Sequence, residues 1–395
     1  MKLKISKSEL GRRREKVSRE MADRGLDGLC LFSSTSIFYL TGFYFIPTER
    51  PAALVLDADG TPGLFLPRLE LEHAKARVMV GRIESYPEYP GERHPMYHLA
   101  DFIRSLGLGG GRLGVDADGY GSPYGYRGPA LSEVLEGAEI VKAGDLVERM
   151  RAVKSPEEIE LIRESARWGN LAHALLQEYA GAGKTELEIS MRASLEATIT
   201  MTRALGPEYE PIGGFGGGAF AGFRGQVGPN SALPHAVTIN AVLMPGDTLV
   251  TGATASVWGY GSELERTMFV GEPSSEQRRF FELMVRMQDI AFEAIGPGRK
   301  CSEVDRAVMD FVKAEGLQEY WRHHTGHALG LGMHEAPFFD VGDDTVLEPG
   351  MVFSVEPGLY VQGLGGFRHS DTVLVTEEGV ELLTYYPRDL ESLIV

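Results

Sequence analysis

Hydrophobic and polar residues follow two different periods along this chain, and the changes of period mark its elements. Over residues 6–24, Leu10, Val17 and Met21, with Leu26 just beyond, fall near helical spacing with charges between them, which predicts an amphipathic helix. Residues 28–32 (Gly-Leu-Cys-Leu-Phe) and 52–56 (Ala-Ala-Leu-Val-Leu) are short unbroken apolar runs and read as buried strands. Asp57-Ala-Asp-Gly60 is a turn sequence, and the apolar run 63–66 behind it completes a hairpin. Strand-like and helix-like segments keep alternating to about Val141, which describes an α/β domain.

The pattern then changes. Residues 144–158 are rich in charge, and within them Ser155 is a good N-cap, Pro156 suits the first helical turn and Glu158 completes a capping box. A long amphipathic helix is predicted from there to about Tyr179, with the domain boundary just before it, giving domains 1–154 and 155–395. In the second domain, helices near 156–180 and 184–199 precede strands near 235–270. Helices near 275–295 and 302–315 then precede strands near 323–376. The repeated order suggests an internally duplicated unit, in an α/β (α+β) class overall, with its active site at the junction of the halves.

Composition narrows the function. The chain has no run of eighteen apolar residues among its 395, so no membrane span is expected. Its first 21 residues mix acid and base without an apolar signal core, so a secretory leader is not expected either. A net charge of −17 argues against phosphate-backbone partners. Cys30 and Cys301 are too few for a disulfide scaffold or a zinc ribbon, and a reducing cytoplasm is the simplest compartment. Gly181-Ala-Gly-Lys-Thr185 imitates a phosphate loop, but Glu178 stands where such a loop needs glycine and the segment follows a helix. Gly213-Gly-Phe-Gly-Gly-Gly218 reads as an Ω-type loop. His334-Glu335 runs into Ala-Pro and is no zinc-protease helix.

Candidate chemistry concentrates near the C-terminus. Six of the ten histidines lie there: His235, His323, His324, His327, His334 and His369. Four of them fall within residues 323–334 among glycines and apolar residues, where shared burial moves pKa values toward proton transfer. Ser262-Glu-Leu-Glu-Arg-Thr267 lies in a strand context, and alternation puts Glu263 and Glu265 on one face and Leu264 and Arg266 on the other. Met351-Val-Phe-Ser-Val-Glu356 is an apolar strand ending in a carboxylate, which needs a metal, a cation such as Arg368, or a donor.

These residues carry a resemblance to the pita-bread family of Xaa-Pro dipeptidase, aminopeptidase P, methionine aminopeptidase and creatinase. Tyr39-Leu-Thr-Gly-Phe43 and Arg50-Pro-Ala-Ala-Leu54 resemble the prolidase-type N-terminal domain, and residues 151–162 resemble the linker and first catalytic helix. Ser231-Ala-Leu-Pro-His235, His324-Thr-Gly-His327, His334-Glu-Ala-Pro337, the segment 349–358 and Asp371-Thr-Val-Leu-Val375 are similar to motifs of the catalytic domain. The resemblance implies a creatinase/prolidase-type domain followed by a pita-bread domain, and a homodimer.

It also implies a two-ion centre in the peptidases, made by two Asp, one His and two Glu. His327 and Glu356 match the His and the first Glu. Gly252 stands in place of the first Asp, Glu263 in place of the second, and Ser370 in place of the last Glu. Two adjacent divalent ions need several carboxylates, so no dinuclear centre and no resident cofactor is expected. The remaining arrangement is a single Mn, Zn or Co ion on Glu263, His327 and Glu356. Creatinase, metal-free by the same resemblance, has Glu at the position of Glu265 and its acid/base His at that of His235. The expected function is therefore metal-independent hydrolysis of a C–N bond in a small molecule. His235 is the expected acid/base, and Glu265 and Glu356 anchor a cationic group, orient water or attack directly. His327 and His334 donate to the carbonyl oxygen, while Glu263, His324 and Arg368 contact substrate. A metal-dependent Xaa-Pro dipeptidase or aminopeptidase with an altered site, and a binding module without chemistry, are the alternatives. Partners are a small molecule or dipeptide, neither nucleic acid nor membrane, with specificity placed in loops such as 206–228 and in residues of the N-terminal domain.

Overall fold

The structure, a computed structural model, describes residues 3–78, 80–212 and 217–395. It forms two compact units, Ile5–Met150 and, in the main, Arg151–Val395. No helix among the described residues is long and apolar enough to cross a membrane.

In the first unit the predicted opening helix runs over Lys7–Asp23. Ser6 caps it by accepting from the Glu9 amide, and Val17 and Met21 are buried beneath it. The apolar runs form a six-stranded mixed sheet in the order Arg82–Tyr86, Pro62–Pro67, Ala53–Asp57, Gly28–Leu31, Arg112–Val115, Glu139–Lys142. Gly28–Leu31 pairs antiparallel with Ala53–Asp57 and parallel with Arg112–Val115. Burial on both faces explains why these strands read as unbroken apolar runs.

The second unit opens with the helix Pro156–Tyr179. Ser155 accepts from the Glu158 amide, and the Glu158 carboxylate accepts from the Ser155 amide at 2.9 Å, the predicted capping box. The helix Glu186–Leu205 follows, longer than its predicted end. Gly181–Thr185 is the connection between the two helices, and Thr185 caps the second. The helices Ser275–Ala294 and Cys301–Ala314 open the second half as predicted.

An eight-stranded sheet holds the site. Its order is Glu335–Phe339, Gly326–Ala328, Val352–Val355, Ser370–Thr376, Leu264–Glu265, Gly252–Ala255, Ala219–Gly222, with Gly379–Leu382 paired on Ser370–Thr376. Both halves of the repeat contribute strands, and they meet where Leu264–Glu265 pairs antiparallel with Ser370–Thr376. The predicted strand region near 235–270 needs correction. Strands there begin only at Thr248, and the segment before it is irregular. The strand Ala219–Gly222 was not predicted because it follows a glycine tract read as loop. Of that tract, Gly213–Gly216 lies outside the described residues. At Gly326 the backbone approach is too close for any side chain: a Cβ there would lie 2.1 Å from the Ser354 carbonyl oxygen. Glycine lets the strand that carries His327 dock against Val352–Val355.

Candidate active site

Alternation along two paired strands sorts the side chains. Glu265 faces Ser370 and Leu264 faces Asp371 in the register. On one side, Arg266 and Asp371 form a fully buried ion pair at 2.9 Å, and Thr384 and Gln288 also donate to Asp371. His369 turns away from the site and packs edge-on against Phe281 at 5.2 Å. On the other side stand Glu263, Glu265, Arg368 and Ser370, as the two-residue period predicted for the glutamates.

Glu263, His327 and Glu356 converge, with one ligand atom from each lying within 4.8 Å of the others. His327 is fully buried. Its Nδ1 lies 3.1 Å from the Ala328 carbonyl, which it donates to, so Nε2 is turned toward the carboxylates. Nε2 lies 3.0 Å from Glu356 Oε1 and 3.9 Å from Glu263 Oε2, yet it makes no aligned hydrogen bond. Burial alone would lower the His327 pKa, but Glu356 and Glu263 outweigh it and hold the ring up at about 9. Glu263 accepts from the Ser370 hydroxyl at 2.7 Å. Its pKa is pushed well up, first by burial and then by the charges of Glu356 and Glu265. Burial works the same way on Glu356, but His327 and Arg368 override it and hold that carboxyl below its usual range.

The neighbouring carboxylate behaves differently. Glu265 takes the Arg368 guanidinium through both oxygens, with Nη2 to Oε1 at 2.9 Å and Nε to Oε2, and Arg224 Nη2 reaches Oε1 at 3.0 Å. Arg368 also donates to Tyr360 Oη at 2.9 Å and to the Pro234 carbonyl at 3.3 Å. Tyr360 Oη lies 2.7 Å from His323 Nε2, and His323 Nδ1 lies 2.9 Å from the His324 carbonyl, so one polarised chain of donors runs from Arg368 to the backbone. Burial lowers the His323 pKa, which fits a neutral acceptor ring.

The geometry bears on three of the expected roles. Glu265 is no open anchor for a cationic substrate, because two guanidinium groups of the chain already occupy it. Arg368, expected to contact substrate, is buried and engages both oxygens of Glu265; Glu356, its other predicted partner, is farther off at 3.8 Å. His327, expected to donate to a carbonyl oxygen, points Nε2 at the carboxylates of Glu356 and Glu263.

The other histidines divide. His334 is exposed and stacks on His327 with ring centroids 3.7 Å apart. Burial, then the charge of His327, lowers its pKa. Its loop is held by Glu335, which accepts from the Gly332 amide at 2.6 Å and from Arg151, with Lys154 Nζ 3.7 Å away. His235 is exposed, in the irregular segment before Thr248, and near enough to depress the His334 pKa. His324 lies against Phe338, with Nδ1 3.9 Å from Asp340.

A two-ion centre does not fit these residues. Gly252 offers no donor, the Ser370 hydroxyl is committed to Glu263, and Glu265 is saturated by arginine. One ion fits: two carboxylates and a buried imidazole nitrogen without a hydrogen-bond partner form a three-donor set with room for further ligands. Sequence reasoning missed Arg224 and Tyr360 as parts of this network, and named His323 only as a member of the histidine cluster. The only signal for Arg224 was an Arg-Gly pair within an apolar stretch, and nothing in sequence spacing links it to Glu265.

Comparison with known proteins agrees with this architecture. The model of metallopeptidase family M24 matches residues 160–377, and that of the creatinase/prolidase N-terminal domain matches residues 13–153. The probable dipeptidase PepE of Mycobacterium tuberculosis is 34% identical over 371 residues, 93% of this chain and 92% of its own. The Xaa-Pro dipeptidase of Pyrococcus furiosus is 30% identical over 380 residues, 96% of this chain and 99% of its own. The solved structure of an Xaa-Pro dipeptidase from Bacillus anthracis is similar at a TM-score of 0.81 and 27% identity, covering 98% of this chain and 100% of that one.

Proposed function

The chain belongs to metallopeptidase family M24, and from that premise we propose that it cleaves the C–N bond of a small dipeptide of the Xaa-Pro type at Glu263, His327 and Glu356, with one divalent ion. It is a hydrolase acting on C–N bonds, with a creatinase/prolidase N-terminal domain ahead of a pita-bread domain. The metal-free reaction expected from Gly252 and Ser370 lacks support, because the three donors that remain converge. The observation that carries the reading is the buried His327 Nε2, without a hydrogen-bond partner and 3.0 Å from Glu356.

An ion held by Glu263, His327 and Glu356 would supply Lewis-acid polarisation of the scissile carbonyl. The chain's own residues do the rest. Ser370 orients the Glu263 carboxyl through its hydroxyl. Glu356 stays ionised and holds the imidazole of His327 in place. His334, neutral and exposed over His327, is placed to donate to the oxygen where negative charge develops. His235, exposed at the rim, protonates the leaving nitrogen, and Arg368 steadies its loop through the Pro234 carbonyl.

Titration of thoroughly dialysed protein with manganese, read by calorimetry, tests the reading. One ion per chain and manganese-dependent cleavage of alanyl-proline are expected. Two ions per chain, or full turnover in the presence of excess chelator, overturns it.

A further inference from the structure

We propose that Arg224 selects substrates by binding a carboxylate that lies over Gly252. The assignment rests on the reading that bonds break at the Glu263–His327–Glu356 cluster, and it names the part of the molecule that recognises the rest of the substrate.

The backbone is the first observation. Arg224 has φ of 50° and Gly225 has φ of 77°, two successive left-handed residues. Glycine adopts that conformation freely, whereas an arginine does so at a cost in conformational energy, so the surroundings have to impose it. The buried carboxylate of Glu186 does this. It accepts from the Gly225 amide at 2.8 Å, the Ile239 amide at 2.8 Å and the Ala241 amide at 3.2 Å. The turn closes with the Gln226 amide donating to the Phe223 carbonyl at 2.8 Å. It also lies so close under Val237 that a Cβ at Gly225 would meet the Val237 carbonyl oxygen at 2.0 Å. The fold thus clamps Arg224 in a strained position beside Glu265.

The side chain is the second. Nη2 donates to Glu265 Oε1 at 3.0 Å and to Gln226 Oε1 at 3.2 Å, while Nε and Nη1 donate to no described residue. The side chain is 45% exposed, against 3% for Arg368. Arg368 already engages both oxygens of Glu265 and lies 3.8 Å from Glu356, so of the two guanidinium groups on Glu265 only that of Arg224 keeps open nitrogens. An arginine fixed by one nitrogen and open at the others is prepared for an anion, and its planar fork matches a carboxylate.

The space is the third. Among the described residues, a Cβ at Gly252 would meet within 4 Å only Glu265 Oε1, at 3.6 Å. The strand surface beside Arg224 is therefore open, and an acidic side chain at 252 would deliver a carboxylate into this space. The missing side chain leaves room for the substrate's own.

Alanyl-proline and alanyl-prolinamide differ only in this charge and decide the matter with manganese-loaded protein. The wild type is expected to favour the acid about 30-fold in kcat/KM, the scale of one charged hydrogen-bonded contact. Arg224→Gln should bring the ratio near one, chiefly by raising KM for the acid, and Arg224→Lys should keep part of the preference. Gly252→Asp should also abolish it, by placing an internal carboxylate against Arg224. Melting temperatures near that of the wild type would show the variants folded. Equal cleavage of acid and amide by the wild type, or a preference that survives in Arg224→Gln, overturns the assignment and leaves the hydrolase reading standing. If neither compound is cleaved, the hydrolase reading falls and calorimetric binding of the same two compounds judges Arg224 alone. Acid-selective binding lost in Arg224→Gln supports it; absent or unselective binding overturns it.

Discussion

Glu263 and Glu265 leave neighbouring positions on one face of the sheet, two residues apart, and meet opposite environments. Glu265 is held by two guanidinium groups inside an ion-pair network. Glu263 has a hydroxyl on one oxygen, another carboxylate nearby and an imidazole 3.9 Å away, and its pKa is pushed up instead. A buried carboxylate needs a cation, a proton or a metal. The fold gives arginine to one and leaves proton or metal to the other, so two carboxylates two residues apart meet different partners.

The largest effect expected from breaking this arrangement is at the open cluster. His327→Ala removes the central donor, and manganese affinity should fall more than about 100-fold, beyond the loss typical of an outer partner. Turnover of alanyl-proline should fall with it, while urea denaturation still shows a cooperative fold. Unchanged ion binding in this variant would mean that the donors lie elsewhere.

The closed cluster should respond in stability. Glu265→Gln leaves Arg368 buried without its counter-charge and should destabilise the protein by about 3–5 kcal/mol. Glu263→Gln replaces a carboxyl that already tends to hold its proton and should change stability by no more than about 1 kcal/mol. Urea unfolding of both variants in metal-free buffer measures the contrast, and the opposite ranking would refute it.

The smallest effect is in the pH dependence of the metal-free protein. His327, raised to about 9 in the fold, contributes stability that is whole below about pH 6.5 and is lost as pH rises through 9. Glu263, raised by burial and like charge, loses stability in the same direction when it ionises. Buried His173 and His369 have lowered pKa values, chiefly through burial, and are neutral throughout this range. Melting temperatures of metal-free protein should therefore decline from pH 6.5 to 9. The increment on adding manganese should grow over the same range, because ligation needs both groups without their protons. A flat increment would mean that no proton is displaced.

Much of the fold could be read in advance where the signal was local. The capping box at Ser155 and Glu158 lies within four residues, so its chemistry is complete in the sequence. The same holds for the alternation of Glu263 with Leu264. The strand Ala219–Gly222 escaped notice because an edge strand beside glycines has no apolar period of its own. Arg368 is the instructive case. Sequence proximity suggested Glu356 as its partner, but register across the sheet delivered Glu265.

The amino-acid order by itself supplied the candidates: the histidines of 323–334, the carboxylates at 263, 265 and 356, and the absence of an acidic side chain at Gly252 and Ser370. Tertiary structure alone decided which carboxylate is satisfied and which is left open, because Arg224 and Arg368 stand 144 positions apart in the chain and only strand pairing and the clamp at Glu186 bring both guanidinium groups to Glu265. Coulomb interaction between buried groups depends on distance in space, which sequence spacing does not contain.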